Sequence, residues 1–196
     1  NGEPLALLND GVLQHMRVGA DGGIGAKYMA RENAEVIGML GSGGMSRSHM
    51  DAFMAVRDIK KLQVFSPTKA NRESFAAEMR DKFEIEVVAC GAPEQVYRGA
   101  DIVAALTDAT VPVTDGACIE AGTHVVVIGG SGAPDDTTIE KIDRSLRFGN
   151  APQPWGLPEF GKGKSRLTYA AMTPEIAETR LSPDGKRGGR TAVAED

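Results

Sequence analysis

From residue 36 onward, short apolar runs alternate with segments whose apolar residues recur at helical spacing. The runs 36–40, 62–65, 86–89, 102–106 and 125–128 are four or five residues long and rich in Val, Ile and Leu, as buried strands are. Between them, 46–56 and 71–83 read as helices. Met50, Phe53 and Met54 form the apolar side of the first, and Phe75, Ala76 and Met79 that of the second. A short helix is expected at 93–98, a helical turn or short helix at 137–142 and one more strand at 146–148. Strands alternating with helices imply an α/β fold with a parallel sheet and right-handed crossovers.

Upstream, 4–8 is a short strand candidate closed by the Asn9-Asp10-Gly11 turn. Residues 12–31 read as a helix with Leu13, Met16, Ala20, Ile24 and Tyr28 near one face. Gly19, Gly22, Gly23 and Gly25 weaken it by about 1 kcal/mol each relative to alanine. Either they admit a close neighbour or they break the helix. Downstream, the Gly- and Pro-rich stretch 149–164 reads as a long loop, and 181–196 is polar, basic in its middle and expected to fray.

The first strand of the alternating region runs into Leu40-Gly41-Ser42-Gly43-Gly44-Met45-Ser46 and then a helix. That order is the one a dinucleotide-binding unit requires. Gly41 permits a tight turn, Gly43 allows close backbone approach to a diphosphate, and Ser46 is small enough for helix and strand to pack. The free N–H groups at the helix start attract phosphate. The candidate cofactor-binding turn is therefore Gly41, Ser42, Gly43, Gly44, Met45 and Ser46.

The end of the second strand bears on the choice of cofactor. An NAD site has a carboxylate there, holding the ribose 2′-hydroxyl. Here Ser66 takes that place, followed by Pro67, Thr68, Lys69 and Arg72. Hydroxyls and cations suit a 2′-phosphate, so Ser66, Thr68, Lys69 and Arg72 are expected to favour NADP, with NAD the alternative. Thr107 ends the 102–106 strand at the carboxyl edge, where open α/β sheets bind ligands, and Gly129 ends the 125–128 strand.

Composition narrows the partners. The 196 residues suffice for one sizeable domain. A net charge of −5 argues against a nucleic-acid or membrane surface. Two cysteines, Cys90 and Cys118, form neither a metal motif nor a disulfide framework, which points to a reducing, cytoplasmic setting. His15, His49 and His124 are widely spaced, and no metal site is expected; His49 is expected to be partly exposed.

Several ordered stretches carry a resemblance. They are Pro4-Leu5-Ala6-Leu7-Leu8, Met16-Arg17-Val18-Gly19-Ala20, Leu40-Gly41-Ser42-Gly43, Val64-Phe65-Ser66-Pro67-Thr68, Gly99-Ala100-Asp101-Ile102-Val103 and His124-Val125-Val126-Val127-Ile128-Gly129-Gly130. Over about residues 4–143 the chain resembles the ornithine cyclodeaminase/mu-crystallin family. The resemblance implies a Rossmann-type doubly wound parallel sheet with flanking helices, plus remnants of a second, substrate and dimerisation domain. The expected organisation is a remnant strand of that domain in 1–11, the dinucleotide-binding domain in 12–148, and a loop-rich segment leading back in 149–196. Family members are much longer, and the abrupt start at Asn1 fits a fragment.

The resemblance also assigns roles. Arg17 matches the arginine that grips the substrate carboxylate, a task suited to a planar, permanently charged guanidinium. Thr107 lies on the nicotinamide side of the cofactor. Ser131 stands where cyclodeaminases and related alanine dehydrogenases have an aspartate; mu-crystallin, a ketimine reductase type, has serine there. A hydroxyl is a poor base near neutral pH, so Ser131 favours reduction of an imine next to a carboxylate. The rivals are an ornithine cyclodeaminase or alanine dehydrogenase with bound NAD, using Asp135 or Asp136 as base, and a nucleotide- or ligand-binding protein without turnover. More simply, Asp135 and Asp136 cap the following helix. A small amino-acid or imino-acid substrate and a homodimer of the full-length protein are implied; nucleic acid and membrane are not.

Overall fold

A computed structural model describes residue 4 and residues 6–109, 111–128 and 134–143. Helix α1 (Gly11–Met29) leads into an alternating series. It consists of β1 (Val36–Leu40), α2 (Gly44–Val56), β2 (Lys61–Phe65), α3 (Lys69–Phe83), β3 (Glu86–Ala89), a 3-10 helix at Pro93–Tyr97, β4 (Ile102–Leu106), a 3-10 turn at Gly116–Cys118, β5 (His124–Ile128) and α4 (Asp136–Lys141).

The five strands form one sheet in the order β3-β2-β1-β4-β5, with every neighbouring pair parallel. The order reverses between β1 and β4, which opens a crevice at their carboxyl ends. Alternate residues of each strand feed two cores. Ile37, Met39, Leu62, Val64, Ile102 and Ala104 pack under α1, α2 and α3 against Phe53, Phe75 and Met79. Leu40, Val103, Ala105 and Val125 pack on the other face against Val96, Tyr97 and Ile119. The strands and α2 and α3 follow the sequence expectation to within two residues.

Helix α1 departs from expectation. It runs unbroken through its glycines, and its buried face is Gly19, Gly22, Gly23, Gly25, Ala26 and Met29. Leu13 and Met16 of the expected apolar face are 70% and 64% exposed. The reason is helix-to-helix approach. A Cβ on Gly19 would lie 2.7 Å from the Ser48 carbonyl oxygen, and one on Gly23 2.8 Å from Ala52 Cβ. Glycine here lets two backbones touch.

Three smaller expectations also fail. Residues 4 and 6–8 form no strand, because no described segment offers them a ladder partner, and Leu7 and Leu8 are exposed. His49 is fully buried, since it lies on the face of α2 covered by α1, with its ring against Gly22. Arg31, the last residue of the expected 12–31 helix, lies beyond the end of α1 at Met29 and pairs with Asp101, whose Oδ2 also accepts from the N–H groups of Glu35 and Val36 at 2.8 and 2.9 Å. That carboxylate fixes the entry to β1. The expected strand at 146–148 and the segments 149–164 and 181–196, with Trp155, lie outside the described residues.

Candidate dinucleotide site

The crevice at the β1/β4 reversal is an open cleft of about 1130 Å3. One wall is the turn Gly41–Met45 after β1, with Arg47 beyond it. The other is Thr107, Asp108 and Ala109 after β4, with Pro112 and Val113. Ser66, Pro67, Thr68, Asn71 and Ser74 line the end beside β2 and α3, and Ile128 the end beside β5.

The two key glycines do different work. Gly41 has φ +118°, and a Cβ there would lie 2.2 Å from the Leu106 carbonyl oxygen. It lets the turn leave β1 against β4, and its N–H donates to the Phe65 carbonyl at 2.8 Å. Gly43 caps α2 in ordinary extended backbone, with φ −89° and ψ −164°. A Cβ on Gly43 would meet nothing within 4 Å, so the space above it is cleft. Ser46 is fully buried, and its Oγ has no hydrogen-bond partner among the described residues. The open cradle over Gly43 and the first N–H groups of α2 fit a diphosphate.

At the β2 end, Ser42 Oγ and Ser66 Oγ are 2.9 Å apart. Arg72 donates to the carbonyls of Ser66 and Pro67 at 3.0 and 3.3 Å, its guanidinium carbon 5.6 Å from the Phe65 ring centre. Thr68 caps α3 without a side-chain bond. Lys69 is exposed and 3.7 Å from Glu73. Ser66 and Thr68 line the cleft; Lys69 and Arg72 stand behind it. Thr107 lines it with its Oγ1 accepting from the Ala109 N–H at 3.2 Å.

Arg17 is exposed on α1 and does not line the cleft. His15, two residues before it, does, with its ring against Gly44 at the start of α2. Sequence reasoning missed His15 and Arg47. The signal for Arg47 was its place one residue past the fingerprint; His15 had none, because only the glycine-mediated packing of α1 on α2 brings it there. Gly129 and Ser131 lie outside the described residues.

Asp135 is committed elsewhere. Its carboxylate accepts from the N–H groups of Gly116 and Thr138 and from Thr114 Oγ1. Burial pushes its pKa up, but these hydrogen bonds outweigh that and hold it below the usual carboxylate range. It is a cap for α4 and a tie to the 3-10 turn. The Nδ1–H of His49 donates to the Met45 carbonyl at 2.7 Å, and burial pushes its pKa down. Among the described residues, no three His, Cys, Asp or Glu side chains group as a metal site, and no helix is long and apolar enough to cross a membrane.

Comparison with known proteins places this geometry. The model of the ornithine cyclodeaminase/mu-crystallin family matches residues 1–147. A Delta(1)-pyrroline-2-carboxylate reductase of Bacillus cereus is 36% identical over 128 residues, covering 65% of this chain and 39% of the relative. The ketimine reductase mu-crystallin of Macropus fuliginosus is 28% identical over 131 residues, covering 67% of this chain and 40% of the relative. The solved Thermococcus litoralis Delta(1)-pyrroline-2-carboxylate reductase in complex with NADH and L-proline superposes with a TM-score of 0.68 at 32% identity, over 76% of this chain and 47% of that one. The chain thus spans about two fifths of the length of the curated relatives it matches. With a sheet order, a glycine turn and a family match that agree, this chain belongs to the ornithine cyclodeaminase/mu-crystallin family and has its Rossmann-type fold.

Proposed function

We propose that this chain is the cofactor-binding part of an NAD(P)-dependent reductase. It acts on a carbon–nitrogen double bond next to a carboxylate, in a small cyclic imino acid or related ketimine. The observation that carries the reading is the open cradle over Gly43 at the sheet's reversal point. The naming of similar proteins as pyrroline-2-carboxylate and ketimine reductases supports the substrate class.

Each residue then has a task. The turn Gly41–Ser46 holds the diphosphate, with the N–H groups of α2 as donors. Ser42 and Ser66 present paired hydroxyls to the adenosine ribose. No carboxylate stands at the end of β2, and Arg72 lies directly behind Ser66, which favours NADP over NAD. Thr107 borders the nicotinamide end. Gly129 completes the seat, and Arg17 takes the substrate carboxylate from the exposed face of α1. The cofactor supplies hydride when bound; the protein orients it and excludes water. A protonated imine needs no enzymic base, consistent with Ser131 in place of an aspartate. The cyclodeaminase rival needs a replacement base, and Asp135 is a poor one, because its lone pairs are spent on Gly116, Thr114 and Thr138. A homodimer of the whole protein and a cytoplasmic setting complete the proposal.

Calorimetric titration of the chain with NADPH and NADH tests the cofactor assignment. Saturable binding with NADPH preferred is expected. Equal affinities would remove the NADP assignment, and binding of neither would remove the site. The non-catalytic rival is separated by turnover of protein expressed from the whole gene.

A further inference from the structure

Arg47 sits in the first turn of α2, where the helix end already carries partial positive charge. A cation is disfavoured there unless something holds it. The guanidinium folds back, and Nη1 donates to the carbonyls of Ser42 and Gly43, each at 3.1 Å. Nε lies 2.9 Å from both carboxylate oxygens of Glu78 on α3, and Nη2 lies 2.6 Å from Oε2. The Phe75 ring centre is 5.3 Å from the guanidinium carbon.

The geometry points to a clamp. In a planar trans peptide the C=O and the following N–H are antiparallel. Drawing the Ser42 and Gly43 carbonyls toward Arg47 therefore turns the N–H groups of Gly43 and Gly44 the opposite way, out of the helix end. Those are the donors a diphosphate would take. A glycine-rich turn has little intrinsic preference for one peptide orientation. The Gly43 carbonyl also accepts from the Arg47 backbone N–H at 3.4 Å, a long first helical bond that the side chain reinforces, whereas the Ser42 carbonyl is tethered by the side chain. One nitrogen, Nη1, bonds two consecutive carbonyls while Nε and Nη2 of the same rigid plane hold Glu78, and a lysine ammonium, a single point donor, cannot span both sets at once.

We propose that Arg47, held by Glu78, is a positioning residue that pre-sets the Ser42-Gly43-Gly44 peptides for a dinucleotide diphosphate. It rests on the dinucleotide reading above. Because Glu78 belongs to α3, the helix that follows the Ser66–Thr68 loop, the clamp also ties the adenosine end of the cleft to the diphosphate seat.

The test uses this chain with Arg47→Met, Arg47→Lys and Glu78→Gln, and three ligands: NADPH, NADH and adenosine 2′-monophosphate, which has no diphosphate. Dinucleotide Kd is read by calorimetry, and the monophosphate by ligand-observed NMR. Arg47→Met should weaken NADPH and NADH alike by about tenfold, with their ratio unchanged and the monophosphate within about twofold of the parent. Arg47→Lys should recover part of the loss. Glu78→Gln, which keeps both carbonyl bonds, should fall between and serves if Arg47→Met does not fold. The clamp is overturned if Arg47→Met binds NADPH as the parent does. It is also overturned if the monophosphate is lost in parallel, a general structural effect, or if the NADPH-to-NADH ratio shifts, which would put Arg47 at the 2′-phosphate. Failure of the unmodified chain to bind any dinucleotide would overturn the underlying reading as well, and is seen before any variant is made.

Discussion

Two glycines of one turn should fail in opposite ways. In Gly43→Val the new side chain enters open cleft, since its Cβ meets nothing within 4 Å and the backbone is in a region valine adopts. The fold loses only the difference between a glycine and a valine helix cap, about 1 kcal/mol. In a domain of this size that lowers Tm by about 2–4 °C. Binding should suffer far more. The added methyls occupy the diphosphate position and cost at least two charge-assisted hydrogen bonds, at about 1.5–3 kcal/mol each. Even the lower figure, about 3 kcal/mol, is more than a hundredfold in Kd. Gly41→Ala is the counterpart. Its Cβ would lie 2.2 Å from the Leu106 carbonyl oxygen, at φ +118°. Backbone strain and overpacking together cost about 3 kcal/mol or more, so Tm should fall by roughly 6–12 °C. Thermal unfolding and NADPH calorimetry on both variants separate the effects. The reasoning is refuted if Gly43→Val keeps parental affinity, or if it unfolds as readily as Gly41→Ala.

Further outcomes follow from particular contacts. Ser66→Asp should reverse the cofactor preference toward NADH, since a carboxylate repels a 2′-phosphate and accepts from a ribose hydroxyl; competitive titration reads the ratio, and an unchanged ratio would place the ribose elsewhere. His49 is buried with its pKa held below the usual 6.5, so the unfolded chain takes up a proton near pH 6.5 that the folded chain refuses. Its contribution to stability is therefore full above about pH 6.5 and declines as pH falls below it. Urea midpoints from pH 8 to 5 should fall, and His49→Gln should flatten that slope. Gly19→Val drives a side chain into the Ser48 carbonyl and should lower stability by about 2 kcal/mol or more, measured by urea unfolding.

The sheet was legible because its strands are apolar runs separated by helical periodicity, and the glycine turn because a strand precedes it and a helix follows. Period-two alternation even sorts Ile37 and Met39 from Leu40 into separate cores. What stayed hidden depended on tertiary approach. Helix α1 buries its glycines and exposes Leu13 and Met16, because α2 comes close enough to touch backbone. The spacing of Gly19, Gly22, Gly23, Ala26 and Ala30 was the available sign, but hydrophobicity alone points to the other face. His49 follows from the same approach. The 4–8 segment has strand composition but no described partner, and composition cannot supply one. At the site, Ser66 and Thr68 line the cleft as their position after β2 implies. Lys69 instead faces outward, because α3 begins there and turns its side chain toward Glu73. Arg47 escaped notice because a basic residue after a phosphate turn reads as solvent-facing until Glu78 and the two carbonyls are seen around it.

The most direct test of the proposed activity is turnover by protein expressed from the whole gene. It is assayed with a cyclic imino acid, Delta(1)-pyrroline-2-carboxylate, plus NADPH, and separately with ornithine plus NAD. The expected result is stoichiometric NADPH oxidation with formation of the cyclic amino acid, and no ammonia from ornithine. Ammonia release from ornithine at a rate comparable to imine reduction would contradict the reductase reading. Absence of turnover with either pair, despite tight NADPH binding, would leave a nucleotide-binding protein in its place.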